Sequence, residues 1–368
     1  MTPAPQASAM RWKPNWAETK QHFLDWWDHR GLVIGRWGLP AIVPARAEAP
    51  YPSVPDTIQE RFTNASFRAQ QSRADCARGW TGLDFLPMAH TDFGPGSVAT
   101  MLGSEPGFSP ATVWFDPCWH QVADPTTLAP ISFDPANRWW QAHEAVMRAS
   151  RDLSGEDFAT GIPDLVEGID ILASLRDTQT LLTDMIERPE WVSEKVAEIN
   201  QAWFQIYDRC YDICRLRDGW TVFDAFKIAS PGKVAKVQCD AAAMFGPRMF
   251  KRFVVPQLTE QCAWLDHSMF HLDGSQCLVH LDHLLGIADL DAIEWTPDPK
   301  VPSGGDPHWY DLYRRIKNAG KSVQVMSVHL SQIAPLLDAI GPDGVYLMIH
   351  PEDLADCEEA ERIVAGYR

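Results

Sequence analysis

His271 and Asp273 stand two positions apart at the end of a short apolar run, Met269-Phe270-His271-Leu272-Asp273, and a glycine follows. In an extended strand residues i and i+2 share a face. The pattern therefore presents an imidazole and a carboxylate side by side, donors that suit a divalent metal or a polar substrate. The competing reading is a strand-to-loop turn in which Asp273 caps the next helix. His350 closes the last apolar run, just before Pro351. Gln238 and Asp240 share a face of another strand, where Asp240 would serve as general base, orient a substrate hydroxyl, or cap the following helix. His329, near the end of its own strand, is either a further ligand or acid–base group or an ordinary hydrogen-bonded histidine. Trp295 would wall a pocket or fill core. Asp224 and Asp164 follow strands as candidate substrate-binding carboxylates, although Asp164 with Glu167 equally reads as a charge pair at a helix N-terminus. His280 and His283, about a turn apart on a helix, read as packing residues.

These residues need a scaffold that brings strand ends together. From about residue 158 onward short apolar runs alternate with longer amphipathic ones, the signature of β/α units. Strands are expected at 157–162, 220–226, 236–240, 268–273, 292–296, 322–328 and 344–349. Helices are expected at 171–187, 191–216, 247–265, 278–285, 309–319, 330–340 and 353–367. Before residue 158 the pattern predicts helices over 11–30 and 57–80 and strands over 32–37 and 84–89. Residues 91–138, rich in Gly, Pro, Asp and Trp, read as an irregular insertion of loops and short hairpins. The sum is a single domain over 1–368: an α/β, (β/α)8 TIM-type barrel with an N-terminal helical extension (1–30) and the 91–138 insertion. A barrel of this kind collects its chemistry at the C-terminal ends of its strands, where His271, Asp273, Trp295, Asp298, His329 and His350 would fall. No G-x-G-x-x-G opens a helix, which argues against a dinucleotide-binding sheet.

Composition narrows the partners. The formal charge of −17, spread along 368 residues, repels nucleic-acid backbones and anionic membranes, so a small-molecule substrate is expected. No stretch approaches the roughly 18 consecutive apolar residues of a membrane span, and residues 1–10 lack the pattern of a signal peptide, so a cytoplasmic protein is expected. The eight cysteines are scattered as in a chain of reduced thiols. Cys210 and Cys214 share a helix face without a second pair to complete a zinc site. Sixteen tryptophans suggest an aromatic-lined pocket as well as core filling.

Several segments of the second half, roughly 158–368, resemble the uroporphyrinogen decarboxylase superfamily, in particular its branch of corrinoid-dependent and cobalamin-independent methyltransferases. They are Ser230-Pro231-Gly232-Lys233, Val237-Gln238-Cys239-Asp240, Met244-Phe245-Gly246-Pro247-Arg248-Met249-Phe250, Trp264-Leu265-Asp266-His267-Ser268, His271-Leu272-Asp273-Gly274, His280-Leu281-Asp282 and Ile293-Glu294-Trp295-Thr296-Pro297. The resemblance implies a TIM-type barrel. It also implies a metal site where the methyltransferases hold zinc with a His-x-Cys pair and a later Cys. At those positions this chain carries His271, Asp273 and His350, a harder donor set that suits zinc, iron or manganese. A site without metal, in which His271 and Asp273 bind substrate directly, is the alternative. The arginine-rich N-terminal motif of the decarboxylases is absent from Val33-Ile34-Gly35-Arg36-Trp37-Gly38, so uroporphyrinogen is not the expected substrate.

The expectation from sequence is a metal-dependent, methyltransferase-like enzyme with metal at His271, Asp273 and His350. Asp240, Gln238 and His329 would be its catalytic groups, and Trp295, Asp224 and Asp164 its substrate contacts. A methylated corrinoid donor would arrive on a separate protein, because no Asp-x-His-x-x-Gly segment is present. A metal-assisted lyase, decarboxylase or hydrolase is the second reading, and a non-catalytic small-molecule binding protein the third. Barrels of this kind often pair, and the Trp-containing 100–140 part of the insertion is the candidate contact of a homodimer.

Overall fold

The computed structural model describes residues 10–40, 49–110 and 112–368. The expectation about a signal peptide, and the first nine residues of the 1–30 extension, lie outside the described residues. Helix α1 (Trp16–Trp27) leads into β1 (Leu32–Gly35), and α2 (Ile58–Thr63) and α3 (Ala65–Arg78) precede β2 (Met88–Ala89). The insertion holds α4 (Val98–Met101) and the hairpin β3 (Glu105–Phe108) to β4 (Val113–Asp116); α5 (Arg138–Ser154) and β5 (Ala159–Thr160) follow. Then come α6 (Gly168–Arg176), α7 (Thr178–Glu187), α8 (Pro189–Cys214), β6 (Trp220–Phe223), β7 (Ile228–Pro231) and β8 (Val234–Gln238). A regular alternation finishes the chain: α9 (Pro247–Phe253), α10 (Val255–Trp264), β9 (His267–Asp273), α11 (Leu281–Leu285), β10 (Ala292–Thr296), α12 (Tyr310–Asn318), β11 (Ser322–Val328), α13 (Leu330–Ile340), β12 (Val345–Ile349) and α14 (Leu354–Val364).

Six strands form one parallel sheet in the order β1-β12-β11-β10-β9-β8, and intervening helices cover it. The remaining strands are tied by short pieces. Parallel β2 and β5 pair over two residues, Ile162 bridges Phe223 of β6, and the Asp84 N–H reaches the Ile34 carbonyl at 3.1 Å. Among the described residues no strand pairing joins β6 to β8 or β1 to β2. The mixed α/β architecture is thus present with a six-stranded ladder and a loosely tied remainder. No helix among the described residues is long and apolar enough to cross a membrane.

Local caps and breaks inside apolar periodicity divide three of the expected helices. The stretch expected as one helix over 171–187 breaks at Asp177 (φ +70°), whose carboxylate accepts from the N–H groups of Gln179 and Thr180 and starts α7 afresh. Asn64 divides the expected 57–80 helix in the same way, accepting from the Phe67 N–H at 3.0 Å. The expected 247–265 helix is interrupted at Val254, just before Pro256, which has no N–H to continue the ladder. Three elements escaped the sequence reading: α4 within the insertion, α5, capped by Asn137 through the N–H groups of Trp139 and Trp140, and β7, which turns back antiparallel to β6.

The floor of the sheet is closed by α1. Its Phe23 and Trp26 meet the ring of Tyr346 edge-on at 5.7 and 5.4 Å, all three buried. Truncating such a buried aromatic costs about 3–5 kcal/mol. A single register row crosses the whole sheet. Gln238, His271, Glu294, Gln324, Tyr346 and Val33 are successive partners across β8, β9, β10, β11, β12 and β1. Side chains in one such row of a parallel sheet point to the same face, so this row lays polar groups side by side.

Candidate active site

The cluster at the ends of β8, β9 and β10 is built by that row. His271 and Glu294 are direct register partners, and His271 Nδ1 contacts a carboxylate oxygen of the fully buried Glu294, whose other oxygen accepts from the Thr296 hydroxyl at 2.6 Å. Burial lowers the pKa of His271, but the Glu294 carboxylate overrides it and holds the imidazole above its ordinary value. Burial raises Glu294, only partly offset by His271. With Nδ1 engaged, Nε2 points toward Asp240 Oδ1 at 4.0 Å.

Asp240 is held by its neighbours' backbone rather than by its own side chain. It opens a short 3-10 turn after β8, and Asp170 of α6 accepts from the N–H groups of Asp240 (2.8 Å) and Ala241 (2.9 Å) and from the Gln238 amide (3.1 Å). The cap expected of Asp240 is therefore supplied by Asp170, which frees the Asp240 carboxylate. Burial, then Asp170, pushes that carboxyl up to about 6, with Asp273 adding to the repulsion and His271 opposing it. Asp273 is freed in a parallel way. Gly274 takes a φ of +77°, a turn that favours glycine, and the Ser275 N–H and hydroxyl behind it go to Asp298 at 2.9 and 2.6 Å. The capping role that competed with a site role for Asp273 is thus filled by Asp298.

One ligand atom each from Asp240, His271 and Asp273 lies within 4.8 Å of the other two. One imidazole nitrogen and two carboxylates, with a further carboxylate behind the imidazole, fit a divalent cation. The donors are those of zinc, manganese or iron(II), and the carboxylate on Nδ1 repeats the support that metal-bound histidines receive. Burial drives Cys239 well up and Cys277 to about 12, and the acidic neighbours of each push further.

His350 is not in this cluster. It is exposed after β12, and its pKa is lowered by burial and by the Arg36 and His329 charges. The expected His271–Asp273–His350 set is therefore replaced by Asp240–His271–Asp273, because β12 lies three strands from β9 in the sheet. His329 is exposed at the start of α13, with its backbone N–H donated to Gln332 Oε1 at 3.0 Å, and it lines neither of the cavities around Asp240. Trp295 is a correction as well. Strand alternation sends Glu294 to the site side, so Trp295 faces away, fully buried against Trp309 at 4.8 Å.

The cluster opens into a cavity of about 810 Å³ lined by Trp37, Phe62, Phe93, Phe226, Asp164 and Asp224 among others. A neighbouring cleft of about 530 Å³ shares Gln238 and Asp240 with it. Of the sixteen tryptophans only Trp37 lines either cavity, and it leans on Phe226 (4.9 Å), which packs on the His271 ring (4.6 Å). Asp164 is paired at 2.7 Å with Lys236, an amine that is fully buried on β8. Burial lowers the pKa of Lys236, but Asp164 and Glu167 win and raise it. Burial raises Glu167 well above the carboxylate range despite Lys236.

On the far wall Asp224 accepts from Lys227 Nζ at 2.8 Å and lies 2.7 Å from His90 Nδ1. Burial alone would raise the Asp224 carboxyl, but His90 and Lys227 bring it well below its usual range. Asp92 nearby is pushed up to about 6 by burial and by Asp224 and Asp164. The turn that delivers Lys227 is strained, with Phe226 and Lys227 at φ +59° and +54°, and such residues cost about 1–3 kcal/mol each. The inward register row restrains it: Gln324 donates to the Phe226 carbonyl at 2.8 Å and Tyr346 to the Lys227 carbonyl at 2.9 Å.

Sequence reasoning missed Glu294, Lys236, Asp170, His90 and Lys227 as site residues. Glu294 and Lys236 carried a signal, since a lone charge inside an apolar strand must find a buried partner. The other three carried none: Asp170 and His90 meet partners distant in sequence, and Lys227, three residues from Asp224, reaches it through the Phe226–Lys227 turn that no local pattern marks.

No family model matches the chain, and no curated protein matches it. Among solved structures it is similar to a B12-independent methionine synthase from Shewanella sp. W3-18-1 in complex with selenomethionine, at 10% identity and a TM-score of 0.45, over 92% of this chain and 97% of that one.

Proposed function

We propose that this chain is a metal-dependent enzyme that acts on a small polar molecule, and that its strands form a (β/α)8-type barrel with the reaction at their C-terminal ends. The observation that carries the reading is the Asp240–His271–Asp273 cluster with Glu294 behind His271. A divalent cation held by these three would supply Lewis acidity toward a coordinated oxygen or nitrogen. Asp170, itself held by the Gln238 amide, fixes the Asp240 backbone, and Glu294 orients His271. The reaction we favour is methyl transfer to an acceptor bound through oxygen or nitrogen, with a methylated corrinoid carried by a separate protein as donor. A homodimer paired through residues 100–140, where Trp114 is exposed, belongs to the same proposal. The hard donor set also favours a second reading, a metal-assisted lyase, decarboxylase or hydrolase.

Elemental analysis of protein purified without chelators tests the metal: about one divalent ion per chain is expected, lost in Asp273→Ala. Protein that takes up no zinc, manganese or iron when offered each would overturn the reading. Incubation with ¹³C-methylcobalamin and small hydroxyl- or amine-bearing acceptors separates the two reactions, since only the first moves the labelled methyl group.

A further inference from the structure

The wall of the 810 Å³ cavity carries a second cluster that the metal reading does not use. β2 ends at Ala89 and β6 at Phe223, so His90 and Asp224 each take the first position past a strand. Asp224 and Lys227 are buried, whereas the His90 side chain is 49% exposed, and all three line the cavity. At 2.7 Å from the Asp224 oxygen, Nδ1 of His90 must carry a proton, because two lone pairs would repel at that distance. Lys227, 2.8 Å from the same oxygen, favours the ionised carboxylate. The backbone is held too: Arg68 donates to the carbonyls of His90 (3.0 Å) and Asp92 (2.9 Å). With Nδ1 protonated, Nε2 of a neutral His90 is a bare acceptor on a half-exposed ring.

We infer that His90 is an acid–base group of this cavity, its tautomer set by Asp224 and its partner held in place by the strained Phe226–Lys227 turn. Nε2 takes the proton of a substrate O–H or N–H: that bond breaks, its electron pair stays on the oxygen or nitrogen, and the new N–H belongs to an imidazolium stabilised by Asp224. As the product leaves, the imidazolium gives this proton to the leaving group or to solvent water, which restores the neutral ring for the next turnover. The substrate class is thus a hydroxyl- or amine-bearing small molecule whose reacting atom lies between His90 and the Asp240–His271–Asp273 cluster. This inference rests on reading the cavity as an active site.

The test is ¹⁵N NMR of histidine-labelled protein at a pH where His90 is neutral, with His90 assigned through His90→Gln. The wild type should show Nδ1 protonated and Nε2 bare. Asp224→Asn, whose amide can donate to Nδ1, should lose or invert that tautomer. Diethyl pyrocarbonate, which acylates a bare imidazole nitrogen, should label His90 in the wild type and several-fold more slowly in Asp224→Asn. A wild-type Nε2–H tautomer, or labelling indifferent to Asp224→Asn, overturns the inference; if that variant does not fold, the wild-type tautomer decides. Metal content of the same samples keeps the two ideas apart. Bound metal with the wrong tautomer sinks the role of His90 alone, and the right tautomer in a protein that takes up no divalent ion sinks the metal reading alone.

Discussion

The two walls of the cavity are built by different means. On one, His271 and Glu294 meet because a continuous parallel ladder puts them in register, and each is one step from a neighbour of the same kind. On the other, His90, Asp224 and Lys227 come from short strand ends and a strained turn, tied to the sheet by the side chains of Gln324 and Tyr346. The ladder wall is held by backbone hydrogen bonds that many sequences can make, the turn wall by a few particular side chains. The same register row serves both, supplying Gln238, His271 and Glu294 to the cluster and Gln324 and Tyr346 to the restraint.

This contrast can be broken by substitution. The largest effect is expected at Lys236, the fully buried cation of the ladder wall. Lys236→Met leaves the Asp164 carboxylate without its buried counter-charge and should cost about 3–5 kcal/mol in denaturant unfolding. A loss below about 1 kcal/mol would mean that this carboxylate is protonated or solvated in the fold. Next in size is metal affinity. Glu294→Gln keeps the shape but weakens the support of His271, and should reduce affinity roughly 10–100-fold by competition titration, whereas His271→Ala removes binding. Unchanged affinity in Glu294→Gln would detach the ladder pair from the metal.

Tyr346→Phe tests the turn wall. It leaves the Lys227 carbonyl without its 2.9 Å donor and should cost about 1–3 kcal/mol while leaving metal affinity in place. Equal damage to both would show that the two walls are one unit.

The smallest expected effect sharpens the comparison through pH. Asp92, raised to about 6 by burial and by its acidic neighbours, binds a proton more tightly folded than unfolded. Its contribution to stability is therefore complete below its ordinary pKa near 4 and is lost as pH rises through about 6. Asp92→Asn should accordingly stabilise the protein at pH 7.5 by about 1–2 kcal/mol and show no such gain at pH 4. A gain independent of pH would remove the titration from the explanation.

The alternation of β and α elements after residue 158 was legible because period-2 and period-3.6 patterns depend only on local spacing, and β10, β11 and α13 occupy the segments that those patterns mark. The i, i+2 placement of His271 and Asp273 was legible for the same reason. Where the chain also carried a local cap, at Asn64, Asp177 or the Pro256 break, the boundary shifted, although the element type held.

What the sequence determined by itself was that His271 and Asp273 share a strand face and could act as a pair, whereas the strand face expected for Gln238 and Asp240 is not formed, since β8 stops at Gln238 and Asp240 opens a 3-10 turn. Only the tertiary structure decided their partners. Register across strands, which no local pattern encodes, put Glu294 against His271, and the fold brought Asp240 rather than His350 to the cluster. Long-range caps from Asp170 and Asp298 decided that Asp240 and Asp273 were free for chemistry. His90 joined Asp224 across 134 residues of chain, because side-chain hydrogen bonds form between groups that the fold brings close, whatever their separation in sequence.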